Sequence, residues 1–120
     1  MIKESYVSFE TANLLKKKGF KGEVQRWYTQ FEEVADTQNI PHDYIDCPSL
    51  QMAMKWLREE KSLFIEISHE SKDNFIAGIY DMTEEDKYGD YKFYPPLIAM
   101  CKTYEQACEA AIKCCLENLI

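Results

Sequence analysis

The chain has 120 residues, 46% hydrophobic and 13% aromatic, which suits one globular domain spanning 1–120 that buries about two-thirds of its unfolded surface. Fourteen basic residues against 21 acidic ones give a net charge of −7, which opposes approach to a phosphate backbone and speaks against a nucleic-acid partner. No apolar run approaches the ~20 residues of a membrane span, and the opening MIKESYVSFE lacks the apolar block of a secretory signal, so no membrane contact and a cytoplasmic location are expected.

The first predicted element is a helix over 9–18, capped by Ser8 and closed by Gly19 in a left-handed conformation, with Phe20 folding back on Leu15. Phe9, Ala12 and Leu15 share its inner face. Lys16, Lys17, Lys18 and Lys21 are the nearest thing to a basic patch, but cations at a helix end complement the macrodipole, and that is the preferred reading. Next, EVQRWYTQF (23–31) is rich in aromatic and β-branched residues and predicts a first strand, with Trp27, Thr29 and Phe31 on one side. The following EEVADTQNIPHDYIDCP keeps no period and reads as an irregular connection with room for a short strand or helical turn.

Ser49 then caps a second helix in which Leu50, Ala53, Met54 and Leu57 form the i, i+3, i+4, i+7 stripe, flanked by Met52 and Trp56. Beyond REEKS the period drops to two: Leu63, Ile65 and Ile67 on one face, Phe64, Glu66 and Ser68 on the other. After the polar link HESKD, NFIAGIYDM predicts the partner of an antiparallel hairpin, and Gly78 within it marks a bulge or a close backbone approach. The acidic and aromatic stretch TEEDKYGDYKFYPP is long enough for a projecting loop or extended hairpin, and 97–101 should return as an edge strand after two prolines that cannot donate to a ladder. Thr103 and Gln106 form the capping box of a last helix. Tyr104, Ala107, Cys108, Ala111, Ile112, Cys115 and Leu119 make its inner stripe; Glu105, Glu109, Lys113 and Glu117 make its wet face, with Glu109 and Lys113 an i,i+4 pair. The resulting fold class is α+β, a small antiparallel sheet of three to five strands with about three helices packed mainly on one face.

Three blocks, SYVSFETANLLKKKGF, PSLQMAMKWLREEKSLFIEI and TYEQACEAAIKCCLENLI, together resemble a family of short proteins carried by phages and prophages of gut bacteria. The resemblance covers about half of the chain. The family has no established activity, so it implies no catalytic residue or cofactor, and it leaves 31–47 and 83–96 as the places where a specific function could sit.

Chemistry-bearing constellations are sparse. The five cysteines, Cys47, Cys101, Cys108, Cys114 and Cys115, are odd in number and lack the C-x₂₋₄-C spacing of a zinc site, so reduced thiols are expected, with Cys108 and Cys115 as small buried hydrophobes. His42, Asp43, Asp46 and Cys47 fall within six positions and are the nearest approach to a nucleophilic site, although loops readily collect such residues for turn chemistry. Glu84, Glu85 and Asp86 read as solvated, and the four glycines form no phosphate-binding turn. No metal, no cofactor and no catalytic set is expected.

What remains is YGDYKFYPP, in which Tyr88, Tyr91, Phe93 and Tyr94 lie within seven positions. Either the rings alternate into the core of a further strand, or they form a protein-binding surface, since rings bury large areas at little entropic cost. The preferred functional reading is a small accessory or regulatory protein acting on a protein partner through this stretch. The alternatives are a small enzyme using the His42, Asp43, Asp46 and Cys47 tract, and an acidic mimic of nucleic acid.

Overall fold

The computed structural model describes residues 2–29, 31–35, 44–94 and 101–120. Its elements run α1 (Phe9–Lys17), β1 (Trp27–Tyr28), β2 (Val34–Ala35), β3 (Ile45–Asp46), α2 (Leu50–Glu60), β4 (Leu63–Ser71), β5 (Asn74–Glu85), β6 (Tyr91–Tyr94) and α3 (Tyr104–Cys114), which continues into a π-helical turn, Cys115–Leu119. The α+β class holds, but the strands divide into two antiparallel sheets, β2-β1-β3 and β4-β5-β6.

Helix ends follow their local chemistry. Ser8, Ser49 and Thr103 each accept a hydrogen bond from the backbone N–H three residues on, at Thr11, Met52 and Gln106. Gln106 Oε1 returns a bond to the N–H of Lys102, one residue before the cap, so the box is closed slightly upstream of its usual place. At the end of α1, Gly19 takes φ +86°, Phe20 N donates to Leu15 O at 2.9 Å and Gly19 N to Lys16 O at 3.2 Å, the paired bonds of a Schellman stop. Phe20 is thereby laid on the core, where its ring meets Trp56 edge-on at 5.5 Å.

The predicted period break at Ser62 becomes the corner between α2 and β4. Leu50, Ala53, Met54, Trp56 and Leu57 are buried on one side of α2, and Leu63 and Ile65 are buried on the sheet it feeds, with Ile67 packed at the margin. β5 pairs with β4 from Leu63↔Asp81 to Ser71↔Asn74, so the strands consume most of the expected link and leave only Lys72 and Asp73 between them. α2 and α3 both pack on the inner face of this sheet. α1 packs beside β3 and α3.

One strand expectation is corrected, the connection after it contains short strands as allowed for, and the later edge strand falls mostly outside the described residues. The first strand shrinks to two residues, and Phe31 is 74% exposed. Thr29 Oγ1 accepts from the N–H groups of Phe31 and Glu33, and these side-chain bonds turn the chain where a ladder would have continued. The irregular connection holds β2 and β3, both two residues long, on either side of residues that lie outside the described set. Of the expected edge strand 97–101, only Cys101 is described; it bridges Phe75 through reciprocal bonds of 2.8 and 3.0 Å.

The last helix buries Cys114 and Leu116 and leaves Tyr104 half-exposed. Beyond Cys114 the wider π-helical turn rotates the C-terminal positions relative to an α-helical projection, which accounts for Leu116 turning inward. Glu109 does not pair with Lys113. Lys113 Nζ instead reaches Glu10 at 2.9 Å and Glu117 at 3.7 Å. The expected helix-end role of Lys18 gains a tertiary partner, since its Nζ donates to the Ile120 carbonyl at 2.7 Å.

The opening segment, for which the sequence offers no period, forms an extended arm against the entry to α2. Val7 N donates to Pro48 O at 3.1 Å and Leu50 N to Ser5 O at 2.9 Å, and the Val7 side chain is fully buried. Arg26 lies over the Tyr6 ring at 4.1 Å on the outside of this arm.

Candidate functional site

The β4-β5-β6 sheet has two faces with different fates. Alternation sends Ile65, Ile79 and Tyr94 toward α2 and α3, and sends Phe64, Tyr80 and Phe93, which are register partners across three strands, to the other side. Phe64 is 38% exposed, Met82 40% and Phe93 45%, and among the described residues no element covers them. Tyr80 and Phe93 lie with ring centroids 4.8 Å apart and an interplanar angle of 43°. Glu66 stands opposite Gly78, and its carboxylate beside the Tyr80 hydroxyl pushes that phenol's pKa up. Gly78 gives this face its shape: a Cβ there would stand 2.7 Å from Phe93 Cε2, so the missing side chain is the space into which the ring leans. The bulge or close backbone approach expected at Gly78 is corrected: the register runs unbroken through Glu66↔Gly78, and what comes close is a side chain from the neighbouring strand.

The four rings singled out in the sequence do not form one cluster. Tyr88 sits at the tip of the β5–β6 connection, 76% exposed, with Lys87 Nζ 5.0 Å from its ring centre. Tyr91 donates to Glu85 Oε1 at 2.8 Å, and that carboxylate raises the phenol's pKa. Phe93 joins the outer face, while Tyr94 packs against the core, so the strand alternates its rings. The tip is held by Asp86, whose Oδ1 accepts from the N–H groups of Tyr88 and Asp90 at 2.8 and 3.0 Å. Phe64, Tyr80 and Met82 were missed as companions of Phe93. The alternation of LFIEIS already put Phe64 outward; the cross-strand register that brings Phe93 beside Tyr80 was not in the sequence pattern.

In the PHDYIDCP tract, His42 and Asp43 lie outside the described residues. Asp46 and Cys47 point to opposite sides, as neighbours in extended chain do: Asp46 is exposed and helps line a 120 Å³ hollow with Lys16, Phe20 and Tyr44, while Cys47 is buried. Cys47 Sγ lies 3.7 Å from Val7 O, the carbonyl to which Tyr28 also donates at 2.6 Å. Burial raises the pKa of both groups. An activated thiol needs the opposite shift, an exposed thiolate stabilised by nearby positive charge.

The helix α3 thiols behave as small hydrophobes. Cys108 and Cys115 are fully buried, which pushes their pKa values up to about 11 and about 12. Among the described residues no group of three or more His, Cys, Asp or Glu side chains could hold a metal ion.

A polar junction that the sequence did not flag joins the two ends of the chain. Glu109 Oε1 accepts from Ser8 N at 2.9 Å and from the hydroxyl of fully buried Thr11 at 2.7 Å, while its Oε2 is buried without a protein hydrogen-bond partner. The carboxylate sits at the N-terminal end of α1, where it complements the helix dipole. Beside it runs a shallow, mostly apolar groove of 520 Å³ between the N-terminal arm and α3, bordered by Val7, Tyr28, Leu50 and Ala110. Compared with protein-family models, curated proteins and solved structures, the chain matches none.

Proposed function

We propose that this protein is a small accessory or regulatory protein that acts by binding another protein, and that the contact is the outer face of the β4-β5-β6 sheet. The observation that carries this reading is the uncovered set Phe64, Met82 and Phe93, one on each of three strands, on a face that among the described residues lacks lysine and arginine. The resemblance of three sequence blocks to proteins of phages and prophages supports an accessory role of phage origin, with a cytoplasmic location.

A magnitude bounds what this face can supply. The exposed parts of the three side chains are on the order of 80 Å² each, and at about 25 cal/mol per Å² their burial is worth roughly 2 kcal/mol apiece. Association costs about 4 to 15 kcal/mol in lost freedom, so the apolar patch needs polar or charged contacts around it to yield a stable complex.

The test is photo-crosslinking in cells of the source organism, with p-benzoylphenylalanine placed at Phe64 or Phe93 and, as a control, at exposed Glu59 on α2. Discrete adducts from positions 64 and 93, absent from position 59, are expected. No adduct from either sheet position, or the same smear from all three, would remove the outer face as the contact.

A further inference from the structure

We infer that the outer sheet face receives one amphipathic α-helix whose apolar stripe is flanked by lysine or arginine; this rests on the reading above and names its partner class. The dimensions fit a single helix. Ile76 to Met82 spans six residue steps along β5, about 20 Å at ~3.3 Å per step, which is the length of a helix of about 13 residues. From Ile79 onward, where β6 joins β4 and β5, three strands spaced about 4.8 Å apart give a width close to the 10–12 Å diameter of a helix. Gly78 carries no side chain, and the Phe93 ring leans into that space beside Tyr80 rather than standing off the face. α2 and α3 already cover the inner face, so an outer helix would complete a three-layer sandwich, the usual way a sheet buries both sides.

Charge selects the sign of the partner. Outward positions 64, 66, 68, 76, 78, 80, 82 and 93 include one carboxylate, Glu66, and no cation. At the end of the face, residues 85–90 add Glu85, Asp86 and Asp90 against Lys87 alone. A second copy of the chain would bring −7 against −7 and place these acidic ends in a shared field, whereas a cationic helix is drawn to the face and held in register by its edges. The flanking charge also supplies the contacts that the apolar patch needs.

The experiment uses the full chain and three 14-residue peptides, with fluorescence anisotropy as the readout. One has leucine at i, i+3, i+4 and i+7 with lysine at the remaining positions; its twin has glutamate in place of lysine; the third has the lysine peptide's composition in scrambled order. The lysine peptide is expected to bind at least tenfold more tightly than either other peptide, to weaken as salt is raised, and to lose at least tenfold on Phe93→Ser or Met82→Ser, variants whose circular dichroism confirms their fold. Equal binding of the scrambled peptide would reduce the effect to non-specific charge attraction and overturn the proposal. So would equal binding of the glutamate twin, or a dimer of the chain in sedimentation that Phe93→Ser dissolves. If the peptides fail while crosslinking at Phe93 still traps a partner in cells, the helix is wrong and the surface stands; loss of both removes the surface itself.

Discussion

Gly78 and Phe93 share one space on the outer face of the sheet: the atom that any other residue would place at 78 would stand 2.7 Å from Phe93 Cε2 and 3.1 Å from its Cζ. The nearest backbone atom, Glu66 O, is 4.0 Å away, so the obstacle is a side chain that can move. Gly78→Ala should therefore swing the Phe93 ring outward. Loss of glycine's extra freedom in the unfolded chain offsets part of the strain, and the net stability change should stay within about 1 kcal/mol by urea unfolding. Crosslinking from position 64 should nonetheless fall, because the face has changed shape. A large stability loss would mean that Phe93 is pinned rather than movable.

Trp56 is 7% exposed, edge-on to Phe20 and beneath the Lys61 ammonium at 5.4 Å. Its truncation opens a cavity between the end of α1 and the base of α2, so Trp56→Ala should cost about 3 to 5 kcal/mol in a urea melt. A near-neutral melt would refute the packing of Phe20 against Trp56.

The Thr11 hydroxyl is fully buried and donates to Glu109. Thr11→Val preserves shape and removes the donor, leaving the partly buried Glu109 carboxylate with Ser8 N as its remaining partner, at an expected cost of about 1 to 3 kcal/mol. A double-mutant cycle with Glu109→Ala should return a coupling of at least about 0.5 kcal/mol. Additive losses would show that the contact contributes nothing beyond its separate parts.

The buried thiols set an alkaline limit. Cys108 and Cys115 keep their protons in the folded chain up to about 11 and about 12, whereas unfolded they release them near the ordinary thiol value of about 8.5. Between these values the unfolded state binds fewer protons than the folded one, so stability is full below pH 8.5 and falls as pH rises toward 12. A loss of about 3 kcal/mol for Cys108 alone follows from the difference, and Tyr28, also raised by burial, adds to the decline at the top of the range. Urea midpoints measured from pH 8 to 11 should fall steadily; a flat profile would place these thiols in water.

Alkylation at pH 8 gives a second view of the same burial. Only Cys101, partly exposed beside Phe75, should react with iodoacetamide in the folded chain, and Cys47, Cys108, Cys114 and Cys115 should wait for unfolding. Rapid labelling of Cys47, read by peptide mass spectrometry, would revive a nucleophilic role for it.

The sequence by itself determined what depends on neighbours within a few residues. Ser8, Ser49 and Thr103 could be read as caps, Gly19 and Phe20 as a stop, and the switch of period at Ser62 as a helix-to-strand corner, because each is a short-range bond or a repeat along one element. It also gave the alternation that puts Phe64 and Glu66 on one side of β4 and leaves Cys108 and Cys115 as core thiols. Tertiary structure decided the rest. Periodicity says which side of a strand a residue takes, and says nothing of which strand lies beside it; Tyr80 and Phe93 therefore became neighbours only through the register of β5 with β6. The Glu109 junction with Ser8 and Thr11 joins residues 101 and 98 positions apart, and no local rule separates such a carboxylate from the solvated ones on the same helix. The Thr29 turn bonds to Phe31 and Glu33, likewise, end the strand that the residue types of 23–31 would have continued. The face that carries the proposed function is the product of that register: local alternation chose the rings, and long-range pairing set them side by side.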